Sequence, residues 1–281
     1  MYINDIVIFS KTFDGHLDHL DQVLKAVAKT EITLATMKCH FAYQLLLLLE
    51  QKVSHLGLST HMEKVSAILN LESSKNTHNL QIFLGMMVYF SAYIPFYAWI
   101  AAPLLNLLKK DNKWEWMEIY TKAFELCKQV LKNAPVWGYA VSGSPYRLYS
   151  DTCNFGLAAI LQQVQKIQLK DLKGTHIYEK CEKAFITREP VPNLVVQISK
   201  ADNNIPPSEP WGTTLEETWV LIERVIIYWS RILKPAERNY SPTKWEALAL
   251  KEGLIKFQPY IERETILAVT DHMAFQWSKT F

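Results

Sequence analysis

The stretch from Tyr146 to Leu161, YRLYSDTCNFGLAAIL, constrains the fold most, because it has the pattern of two strands joined by a tight turn. Residues 146–151 alternate between two sets of side chains, which is the period of two of a half-buried strand. Asn154 and Gly156 are typical of a turn, and residues 156–161 form a second apolar run. Asp151, the one carboxylate of the stretch, stands at the end of the first predicted strand. An isolated aspartate there is more often a cap or a solvated side chain than a functional group.

Two carboxylates downstream lie in contexts that strengthen a functional interpretation of the first. The sequence Ser-Pro-Thr at 241–243 is typical of a helix start, because proline is favoured in the first helical turn. Glu246 follows on that predicted helix. The apolar run at 264–271 predicts a strand, and Asp271 is its last residue.

The length of 281 residues allows two domains. A net charge of +2 excludes an overall basic protein, so that any nucleic-acid surface must be local. The four cysteines show no Cys-x-x-Cys spacing, which favours a reducing compartment over a disulfide framework or a zinc ribbon. Asp5 interrupts any apolar segment near the N-terminus. We therefore expect no signal peptide and an intracellular protein, cytoplasmic or nuclear.

The first half of the chain has mainly helical periodicity. A hairpin is predicted at 2–10, with Asn4 and Asp5 at its turn, and strands are predicted within 32–58. Asp14 is the candidate N-cap of the first helix. The predicted helices cover residues 14–29, 61–71, 77–92, 99–109 and 118–132.

The second half is predicted as a mixed sheet with flanking helices, which makes the fold class α/β (α+β). A segment from about 165 to 222 is rich in lysine, glutamate and proline, and it predicts an insertion or a flexible loop between the second and third strands. Trp211 and Trp219 indicate that part of this segment docks on the fold. We expect the fold to tolerate the segment and the chemistry not to need it.

Two alternatives concern other parts of the chain. Residues 82–108 carry no charge and are long enough to span a bilayer, but prolines and tyrosines interrupt the run, which favours buried helices. A metal set can also be drawn from histidines and a cysteine near the N-terminus. It is disfavoured, because histidines three apart on an amphipathic helix are commonly surface residues. The set would comprise His16, His19, Cys39 and His40.

Several motifs resemble one family, the Ty3/gypsy-type retrotransposon polyproteins, and specifically elements of the fungal type. YINDIVIFS at 2–10 resembles the Tyr-x-Asp-Asp hairpin of reverse transcriptases, and the segment at 83–110 resembles the region after the polymerase palm. The resemblance extends to the RNase H domain through YSDTCNFGLAAILQQ, YWSRILKPAERNYSPTKWEALAL and LAVTDHMAFQW. It implies the end of a palm at 1–60, thumb and connection helices at 61–135, and an RNase H-like domain at 136–281.

The resemblance implies a catalytic site formed by Asp151, Glu246 and Asp271. Two strand ends and one helix face can bring three acids together as an all-oxygen site for two Mg²⁺ ions. Asp151 would bridge the metals. The implied reaction is hydrolysis of the RNA strand of an RNA–DNA hybrid, and no small-molecule cofactor is expected.

The chain also departs from the family pattern. Asn4 replaces the first carboxylate of the polymerase hairpin, so only Asp5 remains as a metal ligand there. An amide is a weak magnesium ligand, and we therefore expect no polymerase activity. Glu50 stands where the family usually has glycine in a primer-contact loop. The fourth acid of the RNase H site would lie beyond Phe281, which leads us to expect a C-terminally truncated domain with an incomplete metal site.

Lysines interleaved with aromatic residues could follow a phosphate backbone in the connecting region. A solvated helix face with core tryptophans is the alternative. The candidates are Lys109, Lys110, Lys113, Trp114, Trp116, Lys128 and Lys132. At the level of function, the alternative to a hybrid nuclease is a non-catalytic nucleic-acid-binding or structural remnant of a mobile element. A membrane-associated protein is a third, disfavoured possibility.

Overall fold

The structure is a computed structural model of the 281-residue chain. It describes residues 6–10, 12–30, 32–48, 51–110, 112–195 and 209–270. The chain divides into two compact units, Met1–Leu46 and Leu47–Phe281. Asp5 and Asp271 both lie outside the described residues.

The first unit contains helix α1, Phe13–Ala28, and a short 3₁₀ turn, Thr36–Lys38. The predicted cap Asp14 is wrong, because Thr12 caps the helix and its hydroxyl accepts from the Gly15 amide at 3.2 Å. No described residue of α1 is buried, although Leu17 and Leu24 share one apolar face.

The strand pattern near the N-terminus does not produce strands in the described residues. Residues 6–10 form no strand, and Phe9 is 86% exposed. Residues 32–44 contain only the 3₁₀ turn, which corrects the prediction of strands from residue 32. A strand needs a partner for its backbone hydrogen bonds, and the described part of these segments pairs with none.

A small sheet in the order β1-β2-β3 comes next along the chain. A helical group follows, and its apolar side chains form one core around Phe83, Leu104 and Phe124. The strands are β1 (Leu45–Leu48), β2 (Gln51–Ser54) and β3 (Gly57–Thr60). The helices are α2 (Met62–Leu69), α3 (Thr77–Tyr89), a 3₁₀ turn (Ser91–Tyr93), α4 (Tyr97–Leu107) and α5 (Glu118–Lys132).

This helical core accounts for the uncharged run at 82–108. The run lies in α3, the 3₁₀ turn and α4, and most of its large side chains pack against each other inside the protein, although Ile82, Val88 and Tyr89 are exposed. None of the helices in the described part of the chain combines the length and the apolar character that a membrane crossing needs.

A four-stranded mixed sheet follows in the order β6-β5-β4-β7, which confirms the predicted α/β (α+β) class. Strand β4 pairs antiparallel with β5 and parallel with β7, and β5 pairs antiparallel with β6. Helix α7 lies against β4 and β5, and Leu148, Leu161 and Phe257 are buried between them. The elements are β4 (Tyr146–Cys153), β5 (Gly156–Gln168), β6 (Trp219–Ile232), a 3₁₀ turn (Pro235–Asn239), α7 (Pro242–Ile261) and β7 (Ile266–Val269).

The segment between β5 and β6 has its own small core. The two strands reach further than the sequence predicts, so the connection runs only from 169 to 218. It contains a 3₁₀ turn (Leu169–Leu172) and helix α6 (His176–Ile186). Leu169 and Cys181 are fully buried together in a cluster that also includes Ile222 of β6. The described part of the connection is thus a folded insertion and not a flexible loop.

Candidate functional site

Asp151 lies in β4, two residues before its end at Cys153. The strand therefore continues past the predicted end at residue 151. A two-residue turn, Asn154 and Phe155, joins it to β5. The Asp151 side chain is exposed, and its Oδ1 atom accepts a hydrogen bond from the Thr152 amide at 2.7 Å. Its carboxylate is accessible for a ligand or metal.

Gly156 is required for close packing more than for the turn. A Cβ atom at this position would lie 2.6 Å from Trp99 Nε1 and 2.7 Å from the Arg231 carbonyl oxygen. Only glycine lets α4 and β6 approach the start of β5 this closely. Because β5 continues directly from the turn after Asp151, this contact fixes the hairpin that carries the carboxylate.

Glu246 comes from the first turns of α7 and is only 8% exposed. The Thr152 hydroxyl donates a hydrogen bond to Glu246 Oε1. Successive residues of a strand point to opposite faces, so Thr152 faces α7 whereas Asp151 faces the other side. The structure thus brings Glu246 to the strand position next to Asp151, and Thr152 forms the link.

Helix α7 can come this close to the sheet because of Gly253. A Cβ atom there would lie 2.9 Å from Ala159 Cβ and 3.4 Å from Leu148 Cδ1. Pro242 occupies the first turn of α7, as the sequence predicts. The glycine therefore sets the distance between the helix that carries Glu246 and the strands of the hairpin.

A surface depression of about 380 Å³ lies beside Asp151 on the sheet face opposite α7. Tyr149, Ile160 and Val269 contribute to its walls. Phe96, immediately before α4, also lines it, and its backbone has a positive φ of 54°. Such a backbone is uncommon for an aromatic residue. Sequence patterns gave no sign of Phe96 or Thr152.

Asp271 is the second residue after β7 in the sequence. Strand β7 runs parallel to β4, with Val269 paired to Tyr149. The carboxyl ends of two parallel neighbours lie at the same edge of a sheet, which is the placement that the sequence pattern predicts for Asp151 and Asp271. Asp271 itself, like the hairpin residue Asp5, stays a prediction because it lies outside the described residues.

The donor chemistry of the site fits a hard divalent cation. Asp151 and Glu246 carry carboxylate oxygens, the ligand type that a hard divalent cation prefers, and they approach β4 from its two opposite faces. Within the described ranges, no group of three histidine, cysteine or acidic residues could hold a metal. That finding also covers His16, His19, Cys39 and His40. Of the three predicted acids, Asp151 and Glu246 lie in the described ranges and Asp271 does not, so the site itself stays a prediction.

The candidate nucleic-acid residues differ in accessibility. Lys109, Lys110, Lys113 and Lys132 are exposed. By contrast, the Lys128 side chain is 13% exposed, and its ammonium group donates to the Leu71 carbonyl oxygen at 3.1 Å. Trp114 and Trp116 pack against the helical core. Lys128 and the two tryptophans thus have structural contacts.

Comparisons with known proteins identify the sheet. Residues 116–171 and residues 211–281 each match the RNase H-like domain found in reverse transcriptase. The chain is 30% identical to the Transposon Tf2-3 polyprotein of Schizosaccharomyces pombe over 162 residues, which are 58% of this chain. The Tf2-7 polyprotein of the same organism matches with the same identity over the same length. The chain is thus similar to the reverse transcriptase–RNase H segment of a retrotransposon polyprotein. It spans 12% of the length of these relatives.

Solved structures show that the fold of this chain is a known one. A foamy viral protease-reverse transcriptase in complex with double-stranded DNA superposes with a TM-score of 0.66 and 16% identity, over 98% of this chain and 39% of that chain. A second structure of the foamy viral protein, in complex with an RNA/DNA hybrid, superposes with a TM-score of 0.65 and 15% identity. The match covers 96% of this chain and 30% of that chain.

The two family matches also locate the insertion. The first covers α5, β4 and β5, and the second covers β6, α7 and β7. The gap between them, residues 172–210, falls entirely within the connection between β5 and β6. The two matched ranges together contribute all four strands of the sheet, and the unmatched residues connect its strands β5 and β6.

Proposed function

We propose that this segment hydrolyses the RNA strand of RNA–DNA hybrids in a Mg²⁺-dependent reaction, with Asp151, Glu246 and Asp271 as the metal-binding catalytic residues. The observation that carries the proposal is the Thr152–Glu246 hydrogen bond, which brings the α7 carboxylate to the strand that carries Asp151. RNase H-like domains generally use divalent metals, and the oxygen donors here suit Mg²⁺. The hybrid complex of the foamy viral protein supports the choice of substrate.

The roles of the residues follow from their surroundings. Bound Mg²⁺ supplies activation of a water molecule and neutralisation of the charge that develops on the leaving 3′-oxygen. Asp151 offers an exposed carboxylate on the strand, where a phosphodiester can approach. Glu246 is largely buried and is held by Thr152, so its oxygens keep one orientation as the substrate binds.

Cleavage of a labelled hybrid tests the proposal. The purified chain should cleave fluorescent RNA annealed to DNA in Mg²⁺ and not in EDTA. Asp151→Asn and Glu246→Gln should each lower the rate at least 100-fold, because an amide is a poor ligand for Mg²⁺. Glu179→Gln, an exposed residue of α6, is the matched control and should keep the wild-type rate. Equal rates for all four proteins would refute the assignment.

Other parts of the proposal concern the rest of the chain. We propose the domain boundaries 1–60, 61–135 and 136–281, and no polymerase activity, because Asn4 replaces an acid that two-metal chemistry needs. Primer extension by the purified chain would contradict the absence of polymerase activity. Limited proteolysis that cuts inside 61–135 before it cuts at the proposed boundaries would contradict the domain division.

A second candidate function is nucleic-acid binding without cleavage. Exposed Lys109, Lys110 and Lys113 at the α4–α5 connection favour it. Their removal should weaken hybrid binding and reduce its salt dependence, since phosphate contacts release counterions. Salt-sensitive binding together with no cleavage in Mg²⁺ would favour this candidate over the nuclease.

A further inference from the structure

A bidentate ion pair joins the end of β6 to the 3₁₀ turn before α7. Arg231 Nη1 lies 2.6 Å from Glu237 Oε2, and Nη2 lies 3.0 Å from Oε1. Glu237 is 8% exposed, so the pair is largely shielded from water. Charge-assisted pairs with this fork geometry are among the stronger and more directional hydrogen bonds in proteins.

Glu237 connects this pair to the start of α7. Its Oε2 atom accepts from the Lys234 amide at 2.8 Å, which fixes the turn. Its main-chain oxygen accepts from Trp245 Nε1 at 2.6 Å. Arg231 Nη2 also donates to Glu252 Oε1 on α7, at 3.2 Å. Glu237 thus contacts β6, the turn and the helix, and Arg231 adds a direct contact from β6 to α7.

The charge state of the pair supports a permanent connection. The hydrogen bonds from Arg231 and from the Lys234 amide lower the pKa of the Glu237 carboxyl below its ordinary value. The same contact raises the pKa of the Arg231 guanidinium. Both groups therefore stay charged at neutral pH, and the pair persists under the conditions of a cleavage reaction.

We propose that Glu237, held by Arg231, is a positioning residue that sets the rotation of α7 about its axis and so aims the Glu246 carboxylate; this inference rests on the proposed function. Consecutive residues on an α-helix point about 100° apart. The Trp245 side chain is held by the Glu237 carbonyl oxygen, and the Glu246 side chain is held by Thr152. Two consecutive side chains of α7 are therefore fixed in two different directions from the helix axis. A helix fixed in this way cannot turn without breaking one of the two contacts.

The first test measures position without metal. Two-dimensional ¹H–¹⁵N NMR spectra of the metal-free chain should show shifts of the Thr152 amide and the Trp245 indole in Glu237→Gln. Leu169→Ala is the control for general destabilisation, because it removes a buried side chain from the insertion far along the chain from the pair. It should lower the melting temperature and leave both signals unmoved.

The second test measures Mg²⁺ affinity by isothermal titration calorimetry. Residues that orient metal ligands typically contribute 10–100-fold to metal affinity. We therefore expect Glu237→Gln to weaken Mg²⁺ binding about 10-fold or more. Arg231→Lys keeps the charge but loses the fork, and should weaken binding in the same direction. Arg231→Lys also tests the positioning role if Glu237→Gln fails to fold. Leu169→Ala should bind Mg²⁺ as the wild type does.

The outcomes separate this inference from the proposed function. Shifts and weaker binding in the Glu237 and Arg231 variants, with neither in Leu169→Ala, support the positioning role. Unmoved Thr152 and Trp245 signals in a folded variant would overturn it, whatever the metal does. A wild-type chain that binds no Mg²⁺ and cleaves no hybrid would overturn the proposed function, while the metal-free spectra would still decide whether Glu237 positions α7.

Discussion

Gly57→Ala should be strongly destabilising, because the start of β3 lies against the backbone of the segment that leads to the RNase H-like sheet. Gly57 has a φ of 142°, a conformation that side-chain-bearing residues rarely adopt. A Cβ atom there would lie 1.7 Å from the Trp137 carbonyl oxygen, far inside van der Waals contact. A main-chain oxygen cannot rotate away as a side chain can, so the two backbones must separate.

The cost can be built from two contributions. Backbone strain at such a position costs about 1–3 kcal/mol. Separation also breaks two hydrogen bonds, from the Leu58 amide to Trp137 O at 3.1 Å and from the Trp137 amide to Leu58 O at 2.8 Å. At about 1 kcal/mol each, they bring the expected loss of unfolding free energy to about 3–5 kcal/mol.

Gly174→Ala provides the matched control. Gly174 also has a positive φ, 78°, but nothing lies within 4 Å of the added Cβ. Only the left-handed backbone cost of about 1–2 kcal/mol remains. Urea titrations followed by tryptophan fluorescence and by circular dichroism measure both variants, and coincident curves establish two-state unfolding. Equal losses in the two variants would refute the argument that backbone contact makes Gly57 different.

Three further predictions address the core, the ion pair and a thiol. Leu148→Ala should lower the unfolding free energy by about 2–5 kcal/mol, because Leu148 is fully buried beneath α7; a loss below 1 kcal/mol in urea titrations would contradict this packing. Since Arg231 lowers the pKa of Glu237, the pair stabilises the fold above the ordinary glutamate pKa and loses its effect as pH falls through the lower folded value. Below about pH 4, the melting temperature of the wild type should therefore fall more steeply than that of Glu237→Gln, and parallel curves would argue against it. Burial raises the pKa of the Cys127 thiol to about 12, so native protein treated with iodoacetamide at pH 7.5 should show no Cys127 adduct by mass spectrometry, whereas rapid alkylation would show that the helical core opens.

The sequence predicted the elements whose periodicity agrees with their packing. Helix α5 occupies 118–132, as its apolar spacing indicates, and the β4–β5 hairpin forms where alternation and turn chemistry agree. In these elements the periodicity of apolar residues predicts which face is buried, because each element packs against one apolar layer. The same holds for the uncharged run at 82–108, which becomes a helical core.

The errors have a different physical origin. Residues 6–10 have a strand-like composition, but a strand forms only where a neighbour supplies hydrogen bonds, and local pattern does not report the neighbour. Composition also hid the core of the insertion, because Leu169, Cys181 and Ile222 come together from distant positions. For the same reason, Asp151 and Glu246 could be predicted as site residues from the sequence, whereas Thr152 and the Arg231–Glu237 pair could not. Side-chain contacts between separate elements have no local periodicity.

The chemistry of the cleavage products tests the central claim most directly. Metal-assisted hydrolysis with a 3′-oxygen leaving group leaves a 5′-phosphate and a 3′-hydroxyl on the RNA. The wild-type chain should produce these ends from an RNA–DNA hybrid in Mg²⁺, leave single-stranded RNA intact, and lose the activity in Asp151→Asn. Products that end in a 2′,3′-cyclic phosphate, or cleavage that persists in Asp151→Asn, would contradict a metal-dependent RNase H site at Asp151 and Glu246.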